Sequence, residues 1–283
     1  MRNLQGRLDL CSINTATLGH REPISLTIDR IARAGFGGIA PWRREIEGAD
    51  VAQIARQIKA LGLSVSGYCR STALPAATAA EFNANIEANR AALRDAATLG
   101  AQCFVIVTGG LPAQSRDLLG ARSQVVEGMA MLLDTARDCG VPLAIEPLHP
   151  MYAADRAVVN TLAQALDICR AVDAENTGYL GVAIDAYHCW WDPALAAAIE
   201  TAGRENRILA FHVCDWLRDT RDMLLDRGMM GDGVIDLPSL RRSVESAGYD
   251  GHVEVEIFSA QDWWQRDPDQ VLATCAERLQ SHC

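Results

Sequence analysis

The segment TLAQALDICRAVDAENTGYLGVAIDA (161–186) holds one complete structural unit. Apolar residues at helical spacing in LAQALDICRAV give way, after a polar turn, to LGVAIDA, a short apolar run with the composition of a buried strand. Working outward, the same alternation recurs along the whole chain. Strand candidates are LDLCSIN (8–14), GGIAPW (37–42), LSVSGYC (63–69), CFVIVT (103–108), PLAIEPL (142–148), LGVAIDA (180–186), ILAFHVC (208–214) and HVEVEIF (252–258). Amphipathic segments such as VAQIARQIKALG and SQVVEGMAMLLDTARDCG lie between them, and DPDQVLATCAERLQ follows the last. Several of these segments end in glycine (Gly35, Gly62, Gly100, Gly140, Gly203, Gly248), the residue that suits a left-handed helix terminus. Eight strand-helix units in 283 residues predict an α/β fold, a single (β/α)8 TIM barrel forming one domain over residues 1–283. A doubly wound sheet would want a glycine-rich nucleotide turn after the first strand, and SINTATLGH is not one.

Composition narrows the chemistry. With 49% apolar and 22% charged residues the chain can bury a core, which excludes a disordered polymer. A net charge of -10 repels polyanions, so neither nucleic acid nor a membrane surface is an expected partner, and a small molecule is. Lys59 is the only lysine and sits in a helical pattern, which removes Schiff-base, pyridoxal phosphate and Walker-type chemistry. Nine cysteines without a C-x-x-C pair make a disulfide framework unexpected. The N-terminal MRNLQGRLDLCSIN lacks a signal-peptide core, and no run approaches the ~18 apolar residues of a membrane span, so a cytoplasmic location is expected.

Four polar residues stand at equivalent positions near the ends of consecutive strands: Glu146, Asp185, His212 and Glu256. If they point into the barrel, their same-face neighbours two residues earlier are Ala144, Ala183, Ala210 and Glu254. Ile145, Ile184, Phe211 and Ile257 then face the helices. Any one of the four alone would pass for a buried polar residue satisfied by its neighbours. Together, three carboxylates converging in a pocket repel one another, and a divalent cation resolves the conflict. Oxygen-rich ligation with one histidine suits one Mn2+ ion, or alternatively Mg2+ or Co2+.

The segments EPLHP, VAID-x-x-H, FHVCD and GYDGHVEVEIF resemble the metal-binding strands of the xylose isomerase-like barrel superfamily, most strongly over residues 140–270. That group includes sugar phosphate isomerase/epimerase-type proteins, ketose 3-epimerases, inosose dehydratases and the endonuclease IV type of nuclease. The resemblance to the ketose 3-epimerases implies that Glu146, Asp185, His212 and Glu256 hold the metal. It also implies that Glu146 and Glu256 are catalytic, exchanging a proton with the substrate carbon. By the same resemblance His188 and Arg218 contact substrate oxygens, and His149 is a further candidate substrate contact. The nuclease branch fits poorly, because the first four strands offer none of its extra histidines.

All six tryptophans (42, 190, 191, 216, 263, 264) follow strand candidates, on the presumed active face. They suit stacking on a sugar, or a subunit interface in a homo-oligomer. The long loop 213–236 carries Gly228, Gly231 and Gly233 as candidate hinges of a lid, and Arg218, Arg221 and Arg227 without a dense basic cluster. The expected function is a divalent-metal-dependent sugar isomerase or epimerase that abstracts a proton next to a carbonyl through a metal-stabilised enediolate. A dehydratase or lyase on keto-sugars or 3-keto-glycosides, with His149, His188 or Tyr187 as acid, is the alternative. A non-catalytic sugar-binding barrel is the alternative from another class.

Overall fold

A computed structural model describes residues 1–283. Eight strands form one parallel sheet: β1 Cys11–Asn14, β2 Gly38–Ala40, β3 Ser64–Val65, β4 Phe104–Ile106, β5 Leu143–Ile145, β6 Leu180–Asp185, β7 Ile208–Val213 and β8 Val253–Val255. Their order is β3-β2-β1-β8-β7-β6-β5-β4, so the chain's first and last strands are neighbours. The remaining edges, β3 and β4, meet through isolated parallel bridges, Val65 with Ala101 and Tyr68 with Phe104. Hydrogen bonds from Gln102 N to Val65 O (2.9 Å) and from Val105 N to Tyr68 O (3.0 Å) close the TIM barrel at that seam.

Ten helices accompany the strands: α1 Ile24–Arg33, α2 Arg43–Ile46, α3 Val51–Ala60, α4 Ala79–Leu99, α5 Leu118–Cys139, α6 Leu162–Val172, α7 Ala186–Cys189, α8 Leu195–Arg204, α9 Leu237–Ser246 and α10 Pro268–His282. Side chains in the sequence start them. Thr78, Asp117 and Thr161 accept backbone N–H bonds in the first turns of α4, α5 and α6. Gly100 and Gly140, at φ 71° and 66°, end α4 and α5 as expected. Gly203 does not end its helix. It lies within α8, where a Cβ would stand 2.2 Å from Ala247 O, so it serves the close approach of α8 to the end of α9. Lys59 is exposed at the last turn of α3. No helix is long and apolar enough to cross a membrane.

Strand alternation sorts the residues as expected. Ala144, Ala183 and Ala210 pack inside the barrel with Cys69, Cys103 and Val105. Ile145, Ile184, Phe211 and Ile257 belong to the larger apolar layer between sheet and helices. Small interior residues leave room at the strand ends for polar groups. The polar Glu254 fills the interior below, accepting from Ser66 Oγ (2.7 Å) and Asn14 Nδ2 (3.0 Å).

The loop between β7 and α9 is not hinged at its glycines. The buried Asp215 carboxylate accepts N–H bonds from Trp216, Gly231, Gly233 and Ile235 at 2.9 to 3.0 Å. Gly228 also exchanges two backbone hydrogen bonds with Asp215 (2.8 and 2.9 Å). These glycines are positions of close packing and fixed backbone, which corrects the hinge expectation. Asp215→Ala leaves several buried N–H groups unsatisfied and is expected to destabilise the protein by about 3 kcal/mol in denaturant unfolding. A loss under about 1 kcal/mol would show that the loop does not depend on this carboxylate.

Candidate metal centre and active site

β6 and β7 place Asp185 and His212 directly opposite each other in the ladder. Glu146 and Glu256 stand one residue past β5 and β8, and each is still pinned by its backbone. Glu146 N donates to Ile106 O (3.0 Å) and Glu256 N to Val213 O (3.1 Å). Alternation then turns all four side chains inward, and one ligand atom from each lies within 4.8 Å of the others. Asp185 and His212 are fully buried, and Glu146 and Glu256 nearly so.

The hydrogen bonds orient this cluster. His212 Nδ1 lies 2.9 Å from Glu146 Oε1 and 4.0 Å from Glu256 Oε2, so Nδ1 faces the carboxylates. Its Nε2 lies 3.6 Å from Glu254 Oε1, the fourth carboxylate of the barrel. At that distance Nε2 makes no hydrogen bond, so Glu254 acts on the imidazole through its charge alone. Asp185 Oδ1 accepts from Tyr187 N (2.8 Å), and Asn14 Nδ2 donates to Glu256 Oε1 (2.9 Å). Arg227 Nη1 reaches both Asp185 Oδ2 (3.1 Å) and Glu256 Oε2 (3.2 Å). Its guanidinium is clamped between the rings of Tyr187 (4.4 Å) and Phe258 (4.7 Å).

Burial drives the proton affinities. It pushes the Asp185 carboxyl up to about 6 against the opposing pull of Arg227. Burial first and the neighbouring Glu146 second raise Glu256. For His212 burial acts downward, but Glu254, Glu146 and Glu256 outweigh it and hold the imidazole well above its ordinary value. Three carboxylates and one imidazole nitrogen gathered this closely form a donor set that fits a divalent cation.

A cavity of about 280 Å³ opens above the cluster. Glu146 and Glu256 line it, together with His188, Arg227, Trp42 and Phe258, whereas Asp185 and His212 sit behind its wall. His188 is kept neutral, chiefly by burial and then by Arg227. Its Nδ1 accepts the His149 N–H (3.2 Å). His149 itself stacks on Trp216 (centroids 4.8 Å apart) and does not line the cavity. Arg218 is exposed on the loop surface and does not reach the site. The loop doubles back against the end of β8, with Arg227 N donating to Phe258 O (2.9 Å), so Arg227 enters the barrel in its stead. Of the tryptophans, Trp42 and Trp264 line the cavity, while Trp190, Trp191 and Trp216 cluster around His149.

Other residues in and around the site escaped the reading of the sequence. Asn14, the last residue of β1, carried a strand-end signal like that of Asp185. His20 lines the cavity with Nδ1 3.0 Å from Glu45 Oε1. Glu45 is in turn held by Trp42 N (3.1 Å) and the Thr15 hydroxyl. Arg70 and Arg156 also line the cavity, and nothing in their local sequence marks them.

The chain belongs to the xylose isomerase-like TIM barrel family, whose model matches residues 28–280. It is 27% identical over 166 residues to the inosose isomerase of Bacillus licheniformis, an alignment covering 55% of this chain and 54% of that protein. The chain therefore spans about half the length of the curated relatives it matches. The crystal structure of protein SMc04130 from Sinorhizobium meliloti 1021 shares 51% identity and a TM-score of 0.94, over 98% of this chain and 99% of that one. D-psicose 3-epimerase, crystallised in the presence of D-fructose, shares the fold at a TM-score of 0.77 and 20% identity, over 95% of this chain and 96% of its own.

A carboxyl group whose affinity for protons is raised stays protonated to higher pH, so protons compete with a cation as pH falls. Mn2+ affinity measured by calorimetry is expected to weaken by about tenfold per pH unit for each proton displaced. His212, held well above its ordinary value, contributes to this slope already above pH 6, and the decline should steepen as pH drops through about 6, where Asp185 takes up its proton. A slope that does not steepen between pH 7 and 5 would remove Asp185 from the ligand set.

Proposed function

We propose that this xylose isomerase-like barrel is a divalent-metal-dependent isomerase or epimerase of a sugar-type small molecule. The observation that carries the reading is the division of the cluster: two glutamates face the cavity from different strands, and two residues lie behind them. Glu146, Asp185, His212 and Glu256 would hold the cation, Mn2+ in preference to Mg2+ or Co2+, which when bound supplies Lewis-acid polarisation of a carbonyl and its adjacent hydroxyl. The isomerase relative and the epimerase neighbour support this chemistry. Free cysteines throughout the chain fit a reducing cytoplasm.

The chain's own groups supply the proton transfers. Glu256 is anchored at one oxygen by Asn14 and at the other by Arg227, which fixes its position at the cavity floor as the base. It would take the proton from the carbon beside the carbonyl, leaving the electron pair in an enediolate. Glu146, on the other wall, would return a proton to the opposite face for epimerisation, or to the neighbouring carbon for isomerisation. Arg227 and His188 would orient the substrate oxygens. Leu224, Leu225 and Phe258 would exclude water from the reacting carbon.

The elimination reading keeps the same first step and needs an acid at the leaving group. Tyr187 is committed to Met223 O (2.8 Å), and His149 lies outside the cavity. His20, backed by Glu45, is the group that favours this second reading.

The test is NMR of metal-loaded protein in D2O with ketoses and 3-keto-glycosides. Deuterium is expected to enter the carbon beside the carbonyl, with a loss of about 100-fold or more in Glu256→Gln and in Glu146→Gln. Binding without exchange for every compound would overturn the reading. An eliminated product in the wild type, lost in His20→Gln with exchange retained, would establish the lyase with His20 as its acid; an epimer or isomer as the wild-type product, unchanged in His20→Gln, would establish the isomerase.

A further inference from the structure

The rim of the cavity carries three arginines that are sparsely balanced by protein partners. Arg70 and Arg156 line both the main cavity and a recess beside it, which Ser71, Thr72, Gly109 and Gly110 complete. Arg44 adds a third guanidinium at the main cavity. Some arginines away from the cavity are closely paired, as Arg30 is with Glu22 and Asp269, and others such as Arg33, Arg56 and Arg242 face open solvent, so what sets the rim arginines apart is that they line the cavity above the cluster. The Arg44 and Arg70 guanidiniums make no hydrogen bond or ion pair with the protein, and the cavity wall takes the Arg70 guanidinium partly out of water. Arg156 has one ion pair, with the exposed Asp155 at 3.7 Å, and its guanidinium lies over the Tyr152 ring at 5.7 Å. Asp155 is also the one carboxylate lining the recess.

Two guanidiniums on one rim oppose each other's charge. The walls around Arg70, and then Arg156, lower the proton affinity of Arg70. Glu146 and Glu256 at the deep end offset only part of this, because the Arg70 proton affinity stays lowered and both glutamates are themselves opposed by His212, with Arg227 also against Glu256. The chain as a whole is acidic at -10, so these arginines are not part of a generally basic surface. Planar guanidiniums in pairs match carboxylate and phosphate oxygens, and they bind a neutral hydroxyl far less strongly.

We propose that the substrate is acidic: it carries a carboxylate or phosphate, remote from its carbonyl, that seats between Arg70 and Arg156 while the carbonyl end meets Glu146 and Glu256. This rests on the proton-transfer reading of the site and adds the substrate class to it. Holding the molecule at both ends fixes which carbon faces the glutamates.

The test uses compounds without a carbonyl, which bind but do not react: D-glucitol, D-gluconate and D-glucitol 6-phosphate. Each is titrated calorimetrically into the metal-loaded wild type, Arg70→Gln and Arg156→Gln, with thermal midpoints confirming that the variants fold. At least one acid is expected to bind tenfold or more tighter than glucitol, and to lose about tenfold in each variant and at high salt, with glucitol unchanged. Which acid gains tells carboxylate from phosphate. If both acids bind no better than glucitol, or if the variants weaken acids and glucitol alike, the proposal is wrong. Binding here does not depend on turnover. Failure of C–H exchange with intact acid selectivity would therefore fell the catalytic reading alone, while exchange on neutral ketoses with charge-indifferent binding would fell the acidic-substrate proposal alone.

Discussion

Mutual repulsion among Glu146, Asp185, Glu254 and Glu256 is the constraint around which the upper half of the barrel is organised. All four are buried, in a space lined otherwise by alanine, cysteine and valine. A dry interior of this kind cannot hold four negative charges unaided. The protein answers with fixed dipoles and one fixed cation. Asn14, Ser66 and the Tyr187 N–H each donate to a carboxylate, and Arg227 is locked between two rings so that its charge cannot swing away. His212 lies between Glu146 and Glu254 and touches both sides of the conflict. The remaining imbalance gives the cluster the donor set of a divalent-cation site and raises the proton affinity of Glu256 in the metal-free protein.

The parts of this arrangement that follow strand periodicity were legible in the sequence. Asp185, His212 and the two glutamates stand at matched positions in short apolar runs, and a period of two residues sends them inward together while Ile184 and Phe211 go outward. Helix ends such as Gly100 and Gly140 were readable for an equally local reason. Gly203 misled because a glycine that admits a neighbouring helix looks, in one dimension, like a glycine that ends one.

What the sequence hid depends on how loops fold back. Arg218 and Arg227 lie nine residues apart in the same polar loop, and only its path decides which one reaches the barrel. That path is set by Asp215, whose carboxylate gathers N–H groups from residues up to 20 positions away. The His20–Glu45 contact and the pairing of Arg70 with Arg156 are likewise products of separate βα loops meeting over one mouth. The four-residue cluster was thus readable from strands, and much of the cavity lining was not, because it comes from loops.

The isolated position of Lys59 has a practical consequence. Helices of a TIM barrel run antiparallel to its strands, so the last turn of α3 lies at the end of the barrel opposite the cavity. Because no other side chain carries a primary amine, a coupling chemistry that spares the α-amino group grips the molecule by its base. Every immobilised copy held this way turns its mouth outward.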